Sequence, residues 1–291
     1  MKKNENSLER DVKWVEPFAA VYGAKIENNF IILPSNPNGI RYFLDCGNGV
    51  VAYYINYESK KDLHLFQSKI NKDFVGIYYN MTDGDCVLSD GESVYDIGHL
   101  KYNLCVVDCS LDASFFVPAG NKVEALCIFV DKKVIREVLY KNSIVHLNQD
   151  ILGVTLKKIP ILLNRMSNES FHVLNDLARI QPGGFIFDLN FRATVHLLLS
   201  NYLKKIENKR LTIDNIKEND LEKMISLQMY LLNKIEDPFP TISEMTELVG
   251  MSESKLLASF RKVNGTSPSK YFLKNKMLRA KLLLEEKELS I

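Results

Sequence analysis

Residues Thr241–Ile291, TISEMTELVGMSESKLLASFRKVNGTSPSKYFLKNKMLRAKLLLEEKELSI, carry several mutually consistent helix signals in a short span. Thr241 precedes a helical pattern and Glu244 follows three residues on, so hydroxyl and carboxylate can satisfy the exposed amides reciprocally in a capping box. Ile242, Met245 and Leu248 recur at helical spacing as the inner face of that first helix. Val249-Gly250-Met251 then supplies the turn, with glycine at the position that needs a permissive backbone. Ser252 is the N-cap candidate of a second helix, whose Leu256, Phe260 and Val263 fall on one side and pack against the first.

On the outer side of the second helix lie Glu253, Ser254, Leu257, Ala258 and Arg261, with Lys255 and Lys262 flanking. Gly265 closes that helix, and Ser267-Pro268 starts another, because proline at the first helical position forfeits no hydrogen bond. Leu273, Met277, Ala280 and Leu284 repeat at i, i+4, i+7 and i+11, which predicts an amphipathic helix of about five turns.

Two short helices joined by a tight turn and followed by a long helix resemble the first half of an AraC/XylS-type DNA-binding domain. The residues that carry the likeness are the LVGMSESKLLASFRKVNGTSP run and the RAKLLLEEKELSI tail. In that family a long linker helix leads to a second helix-turn-helix, which begins at about the Ser290-Ile291 pair. The resemblance therefore implies that the sequence holds the first unit only.

The resemblance places Ser254, Leu257 and Ala258 at positions that contact bases, and assigns DNA binding to Ser252, Ser254, Lys255, Leu257, Ala258, Arg261 and Lys262. None of the three base-facing residues offers a bidentate fork, which discriminates bases by about 1–3 kcal/mol; Leu257 and Ala258 offer apolar contact to a thymine methyl. Specificity from this half alone is expected to be low. Lys255, Arg261 and Lys262, with Lys270, Lys274, Lys276, Arg279 and Lys281, read as phosphate contacts, the competing reading being an ordinary solvated face.

The 291 residues are 46% apolar, enough for two domains and a sizeable core, and carry a formal net charge of +1. That near-neutral sum conceals asymmetry, because from Ser252 onward nine basic residues face four acidic ones. A basic terminal module on a near-neutral body is the pattern of a regulated DNA binder. Met1–Arg10 has lysines but no apolar run after it, and no stretch is long enough to span a bilayer, so a cytoplasmic protein without membrane association is expected. Cys46, Cys86, Cys105, Cys109 and Cys127 have no metal-ligand spacing; they read as buried free thiols, with a redox pair of Cys105 and Cys109 as the alternative.

From about Phe30 to Asp131, short apolar runs alternate with turn signals, which predicts an all-β body: a small barrel or jelly roll. Strands are predicted at Phe30–Leu33, Val50–Tyr57, Phe74–Tyr79, Leu104–Asp108, Phe115–Val117 and Ala125–Val130. Turns fall at Pro34 to Gly39, Asn48-Gly49, Asp83-Gly84, Asp90-Gly91 and Ala119-Gly120-Asn121. Within the resemblance this region corresponds to a cupin-like sensory domain, of which FVPAGNKVEALCIFVDKKVI looks like the end. His64, His99, His146, His172 and His196 are isolated from one another, so neither a metal nor another cofactor is expected. Tyr42, Tyr53, Tyr54, Phe74, Tyr78 and Tyr79 either line a pocket for an organic effector or are simply core.

Beyond Asp131 the period turns helical. Val134, Ile135, Val138 and Leu139 follow an Asp N-cap; Phe171, Leu174, Leu177 and Ala178 mark a second helix, Gln181 to Gly184 breaks it, and Phe191, Val195, Leu198, Leu199 and Tyr202 mark a third. The resemblance implies that Phe185 to Ile206 contributes to a homodimer; packing on the β body is the open alternative. Lys204 to Asn219 is polar enough for a linker. Leu221, Met224, Ile225, Gln228, Leu231, Leu232 and Ile235 then form a helix that braces the helix-turn-helix, stopped by Asp237-Pro238-Phe239-Pro240.

The sequence thus predicts an α+β chain: residues 1–131 a cupin-like β-barrel or jelly roll, 132–210 a helical linker and dimerisation region, and 220–291 an incomplete all-α helix-turn-helix module. No nucleophile elbow, phosphate loop or paired catalytic carboxylates are present, and an enzyme is not expected. The expected function is that of a transcription regulator binding double-stranded DNA under control of a small-molecule effector. The alternative is a sensory and dimerisation protein without competent DNA binding.

Overall fold

The computed structural model describes residues 23–34, 39–58, 60–67, 73–82, 84, 86–99, 101–141, 161–207 and 218–287. Met1–Arg10, most of the turn after Pro34, Asp83, His146, the linker beyond residue 207 and Ser290-Ile291 lie outside the described residues. The chain divides into two compact units: unit 1 takes Met1–Asn164 and His172–Leu211, unit 2 takes Arg165–Phe171 and Thr212–Ile291.

Unit 1 is α+β. Its strands are β1 (Lys25–Glu27), β2 (Phe30–Ile32), β3 (Ile40–Gly47), β4 (Val50–Glu58), β5 (Leu63–Gln67), β6 (Phe74–Asn80), β7 (Cys86–Ser89), β8 (Val94–Ile97), β9 (Leu104–Asp108), β10 (Ala113–Val117), β11 (Lys122–Asp131) and β12 (Leu162–Asn164). They form an eight-stranded sheet in the order β1-β2-β3-β4-β11-β6-β9-β12 and a four-stranded sheet in the order β5-β10-β7-β8. Every pairing between these strands is antiparallel, and an isolated parallel bridge joins Ile97 to Tyr102. Ile55, Tyr78, Cys105 and Cys127 of the first sheet share one buried cluster with Cys86, Leu88, Ala113 and Val117 of the second. The two sheets therefore face each other across a common core, the jelly-roll form of the expected body rather than a closed barrel.

All six expected strands are present, that at Phe30 one residue shorter and the others equal or longer by a few residues, and six more accompany them among the described residues. Asn48 and Gly49 join β3 to β4 with φ of 54° and 71°, the paired positive values that a two-residue primed turn requires. In the β7–β8 turn, Asp90 accepts from the amides of Glu92 at 3.0 Å and Ser93 at 2.7 Å.

Pleating divides five of the six aromatics singled out above, all but Phe74, between two faces of the large sheet. Tyr53 and Tyr78 turn toward the shared core, where Tyr78 lies 5.3 Å from the Phe115 ring and 5.9 Å from Phe129. Tyr42, Tyr54 and Tyr79 point to the opposite face, being cross-strand neighbours of one another or of Leu126. That second face is covered by a helix, so those tyrosines are core of another layer and not lining of the interior.

Asp131 caps helix α1 (Lys132–Lys141), its carboxylate accepting from the Lys133 amide at 2.7 Å. Helix α2 (Asn168–Ala178) and helix α3 (Gly184–Glu207) flank the break at Gln181 to Gly184. Helix α3 buries Phe187, Phe191, Val195, Leu198 and Tyr202. Tyr42 meets Phe187 and Phe191 edge-on at 4.9 and 5.8 Å and donates a hydrogen bond to Asp188. The Tyr79 hydroxyl donates to the Leu198 carbonyl at 3.0 Å, and Arg192 Nε to the Asp45 carbonyl at 3.1 Å. One side of α3 is thus packed on the sheet, as the intramolecular alternative had it, while Phe185, Ile186, Leu189 and Leu197 on its other side stay exposed.

The five cysteines are free and buried. Burial pushes the Cys46, Cys105, Cys109 and Cys127 thiols up to about 12, which keeps them protonated and unreactive. Cys105 and Cys109 are four residues apart along extended chain, ~13 Å, beyond the ~7 Å a disulfide can bridge. The redox-pair alternative therefore fails on geometry.

Candidate nucleic-acid interface

Unit 2 is built on α4 (Glu218–Asn233), α5 (Ile242–Val249), α6 (Glu253–Asn264) and α7 (Pro268–Lys287). Helix α4 buries Leu221, Met224, Leu227 and Leu231 and touches each of the other three helices, which is the bracing role its stripe predicted. At the start of α5 the Glu244 amide donates to Thr241 Oγ1 at 3.3 Å while the Glu244 carboxylate accepts from the Thr241 amide at 2.7 Å. These bonds hold Glu244 below the ordinary carboxylate range.

Gly250 ends α5 in the left-handed conformation, φ 57° and ψ 48°, and turns the chain into α6. Ser252 occupies the N-cap position of α6 in extended conformation but its hydroxyl makes no cap bond; only its carbonyl accepts, from the Leu256 amide at 2.9 Å. Leu256, Phe260 and Val263 are buried as expected.

Two expectations about faces require correction. Leu248 is 48% exposed, and Val249, which the sequence reading left to the turn, is buried beside Met245. At about 100° per residue Val249 lies ~20° from Ile242 around α5, whereas Leu248 lies ~120° away. Likewise the stripe Leu273, Met277, Ala280 and Leu284 faces outward, Leu273 and Met277 being 60% and 63% exposed. The face that α7 turns inward carries Tyr271 and Phe272, both buried. Phe272 packs on Phe239 at 5.3 Å, and Lys276 Nζ donates to the Asp237 carbonyl at 2.6 Å, which locks that choice of face.

Ser252, Ser254, Lys255, Leu257, Ala258, Arg261 and Lys262 are all exposed. Ser254, Leu257, Ala258 and Arg261 fall within about 100° of arc on α6, opposite the buried Leu256, Phe260 and Val263. The structure therefore brings these four residues together on one outward face.

It commits another of the expected residues elsewhere. Lys255 Nζ sits 2.9 Å from Asp220 on α4, in an ion pair that ties α6 to its brace. Lys274 pairs with Glu169 at 3.1 Å and Arg279 with Glu236 at 3.2 Å, so these two expected phosphate contacts also serve packing. Arg261, Lys262 and Lys270 pair with no carboxylate among the described residues and remain available to a polyanion. The sequence reading missed these commitments because each acidic partner is distant in the chain.

The shared core of the two sheets is the other candidate site. Tyr53, Phe115 and Phe129 face it yet keep partial solvent access, and Arg41, itself buried, places its guanidinium 4.1 Å from the Tyr57 ring on the same side. Among the described residues no three His, Cys, Asp or Glu side chains come together as metal ligands, and no helix is long and apolar enough to cross a membrane.

No protein-family model and no curated protein matches the chain. Among solved structures, ToxT from Vibrio cholerae is similar over 78% of this chain and 98% of its own, with 13% identity and a TM-score of 0.36. The AraC-like transcriptional activator CuxR is similar over 94% of this chain and 92% of its own, with 10% identity and a TM-score of 0.35. Oxalate decarboxylase OxdC of Bacillus subtilis is similar over 55% of this chain and 43% of its own, with 14% identity and a TM-score of 0.25.

Proposed function

We propose that the chain is a sequence-specific DNA-binding transcription regulator of AraC type, whose β-rich unit senses a small molecule. The observation that carries this reading is the outward face of α6, on which Ser254, Leu257, Ala258 and Arg261 share one arc beside the available Lys262. A helix entering the major groove needs such a face, short side chains toward the bases and cations at its border. Single modules bury roughly 600–1,000 Å² on DNA, and non-specific binding alone gives about 10⁻⁴–10⁻⁶ M at physiological salt, so affinity from this one unit is modest.

Fluorescence anisotropy with duplexes from the neighbouring promoter tests it. Arg261→Ala and Lys262→Ala are each expected to weaken binding on every sequence and to lower the salt slope by about one. Leu257→Ala alters sequence preference instead. Unchanged affinity in both basic-residue variants overturns the assignment.

The effector is proposed to enter between the two sheets near Tyr53, Phe115 and Phe129, the partly accessible aromatics of the interior. Its binding shifts DNA affinity only to the extent that it favours one arrangement of the chain over another. The exposed face of α3, with Phe185 at 75% and Ile186 at 72% exposure, is proposed as a homodimer contact. Light scattering on wild type and on Leu189→Lys checks this: a dimer converted to monomer supports it, and a wild-type monomer at micromolar concentration removes it.

A second reading, a sensory and dimerisation protein without competent DNA binding, is favoured by apolar Leu257 and Ala258 on the outward face and by the commitment of Lys255 to Asp220. Absence of any binding at low salt selects it.

A further inference from the structure

Unit 2 is not one continuous stretch of chain. Between β12, which pairs with β9 in unit 1, and the remainder of α2, the seven residues Arg165–Phe171 belong to unit 2. They are no surface excursion, since Arg165, Met166, Asn168 and Ser170 are buried. Arg165 Nη2 donates to Gln228 Oε1 on α4 at 3.0 Å, and Gln228 Nε2 donates to the Tyr271 hydroxyl on α7 at 2.8 Å. The Tyr271 ring stands edge-on to Phe260 at 5.6 Å, and Phe260 is fully buried on the packed side of α6. Lys274 of α7 reaches Glu169 of the same segment at 3.1 Å.

Burial pulls Arg165 down to about 10, so it enters the helical module charged at neutral pH. A charge removed from water is costly, and an apolar side chain of the same size fills space more cheaply. What the guanidinium supplies is direction: its fixed fork orients the Gln228 amide, and the amide then orients the Tyr271 hydroxyl. Ser167 accepts from the Ser170 amide at 3.2 Å and opens α2, a single helix whose first residues are counted with unit 2 and whose later ones, with buried Leu174 and Leu177, are counted with unit 1.

We propose that Arg165–Phe171 is a strap built into the helical unit that holds α6 in position, with Arg165 as the positioning residue acting through Gln228 and Tyr271 on Phe260. Its use in DNA recognition rests on the DNA-binding reading; its geometry does not.

Hydrogen exchange on the full chain, read beside anisotropy on DNA, tests the strap. Arg165→Met keeps the bulk and removes the fork. It is expected to speed exchange of amides 256–264 and 271–275 by about tenfold while β4, β6 and β11 keep wild-type protection. Arg165→Lys, which keeps the charge without the fork, behaves like Arg165→Met, and Arg165→Met/Gln228→Leu recovers part of the loss because no amide is left without its donor. Where Arg165→Met fails to fold, Tyr271→Phe removes only the hydroxyl and is expected to reproduce the local loosening. Unchanged exchange in 256–264, equal loosening of the sheets, or full rescue by lysine overturns the strap. Local loosening in a chain whose wild type never binds DNA leaves the strap standing and removes the regulator reading alone.

Discussion

At Gly76 a methyl group has nowhere to go: a Cβ built there lies 2.7 Å from the Tyr78 ring, which folds back over its own strand. Gly76→Ala is therefore expected to destabilise unit 1 by about 1–3 kcal/mol, as overpacking does, and urea unfolding followed by far-UV circular dichroism measures it. Gly250 poses a different demand, since its φ of 57° with only Lys223 Nζ nearby at 3.8 Å makes the cost one of backbone and not of space. Gly250→Ala is expected to cost about 1 kcal/mol and Gly250→Asn less, seen as a graded fall in thermal midpoint. The second glycine was legible from its place between two helical patterns. The first was not, because nothing in the string FVGIYYN says that Tyr78 folds back instead of standing out from the sheet.

Among the elements, α5 was the most legible, because its cap is written in adjacent letters. Thr241→Ala should cost about 1 kcal/mol of unit 2 stability. Glu244 is held below its ordinary value of 4.5, so its contribution is complete above that value and is lost as the pH falls through the depressed folded value. The stability gap between wild type and Glu244→Ala should accordingly narrow as the pH drops from about 6 to about 3, and denaturant titrations at each pH check it. Helix α7 was half legible: its extent and proline start were readable, its inward face was not, because two stripes compete and the Tyr271 and Phe272 rings win over the more regular aliphatic one. Strand β3 was missed although Asn48-Gly49 was recognised as a turn; a primed turn needs a strand on each side, and the buried Arg41 broke the apolar run that would have declared it. Strand β12 has three residues and was out of reach of any periodicity.

For the whole molecule, composition gave the contrast between a near-neutral body and a basic end, and local pattern gave the β-then-α order. What stayed hidden is long-range: the Lys255–Asp220 pair, the burial of Arg165 and the assignment of seven mid-chain residues to the terminal unit all depend on partners that no local window contains. Disrupting the pair has a predictable signature. Lys255→Met should lower the stability of unit 2 by no more than about 1 kcal/mol, since the lysine is half exposed, and should change the salt dependence of DNA binding less than Arg261→Ala does.

The place of β11 in the large sheet bears on how the chain is made. Among the described residues it is the last long strand to be synthesised, yet it is bonded on both sides, to β4 and to β6, with Cys127 opposite Tyr53 and Tyr78. Hairpin β3–β4 leaves the ribosome early and must wait, one edge bare, for a partner some seventy residues away. Pairings at such separations form slowly and leave strand edges open to wrong neighbours in the meantime. Nascent chains halted before residue 131 should therefore be captured by chaperones and digested readily by protease, whereas chains released beyond it should acquire resistance in a single late step.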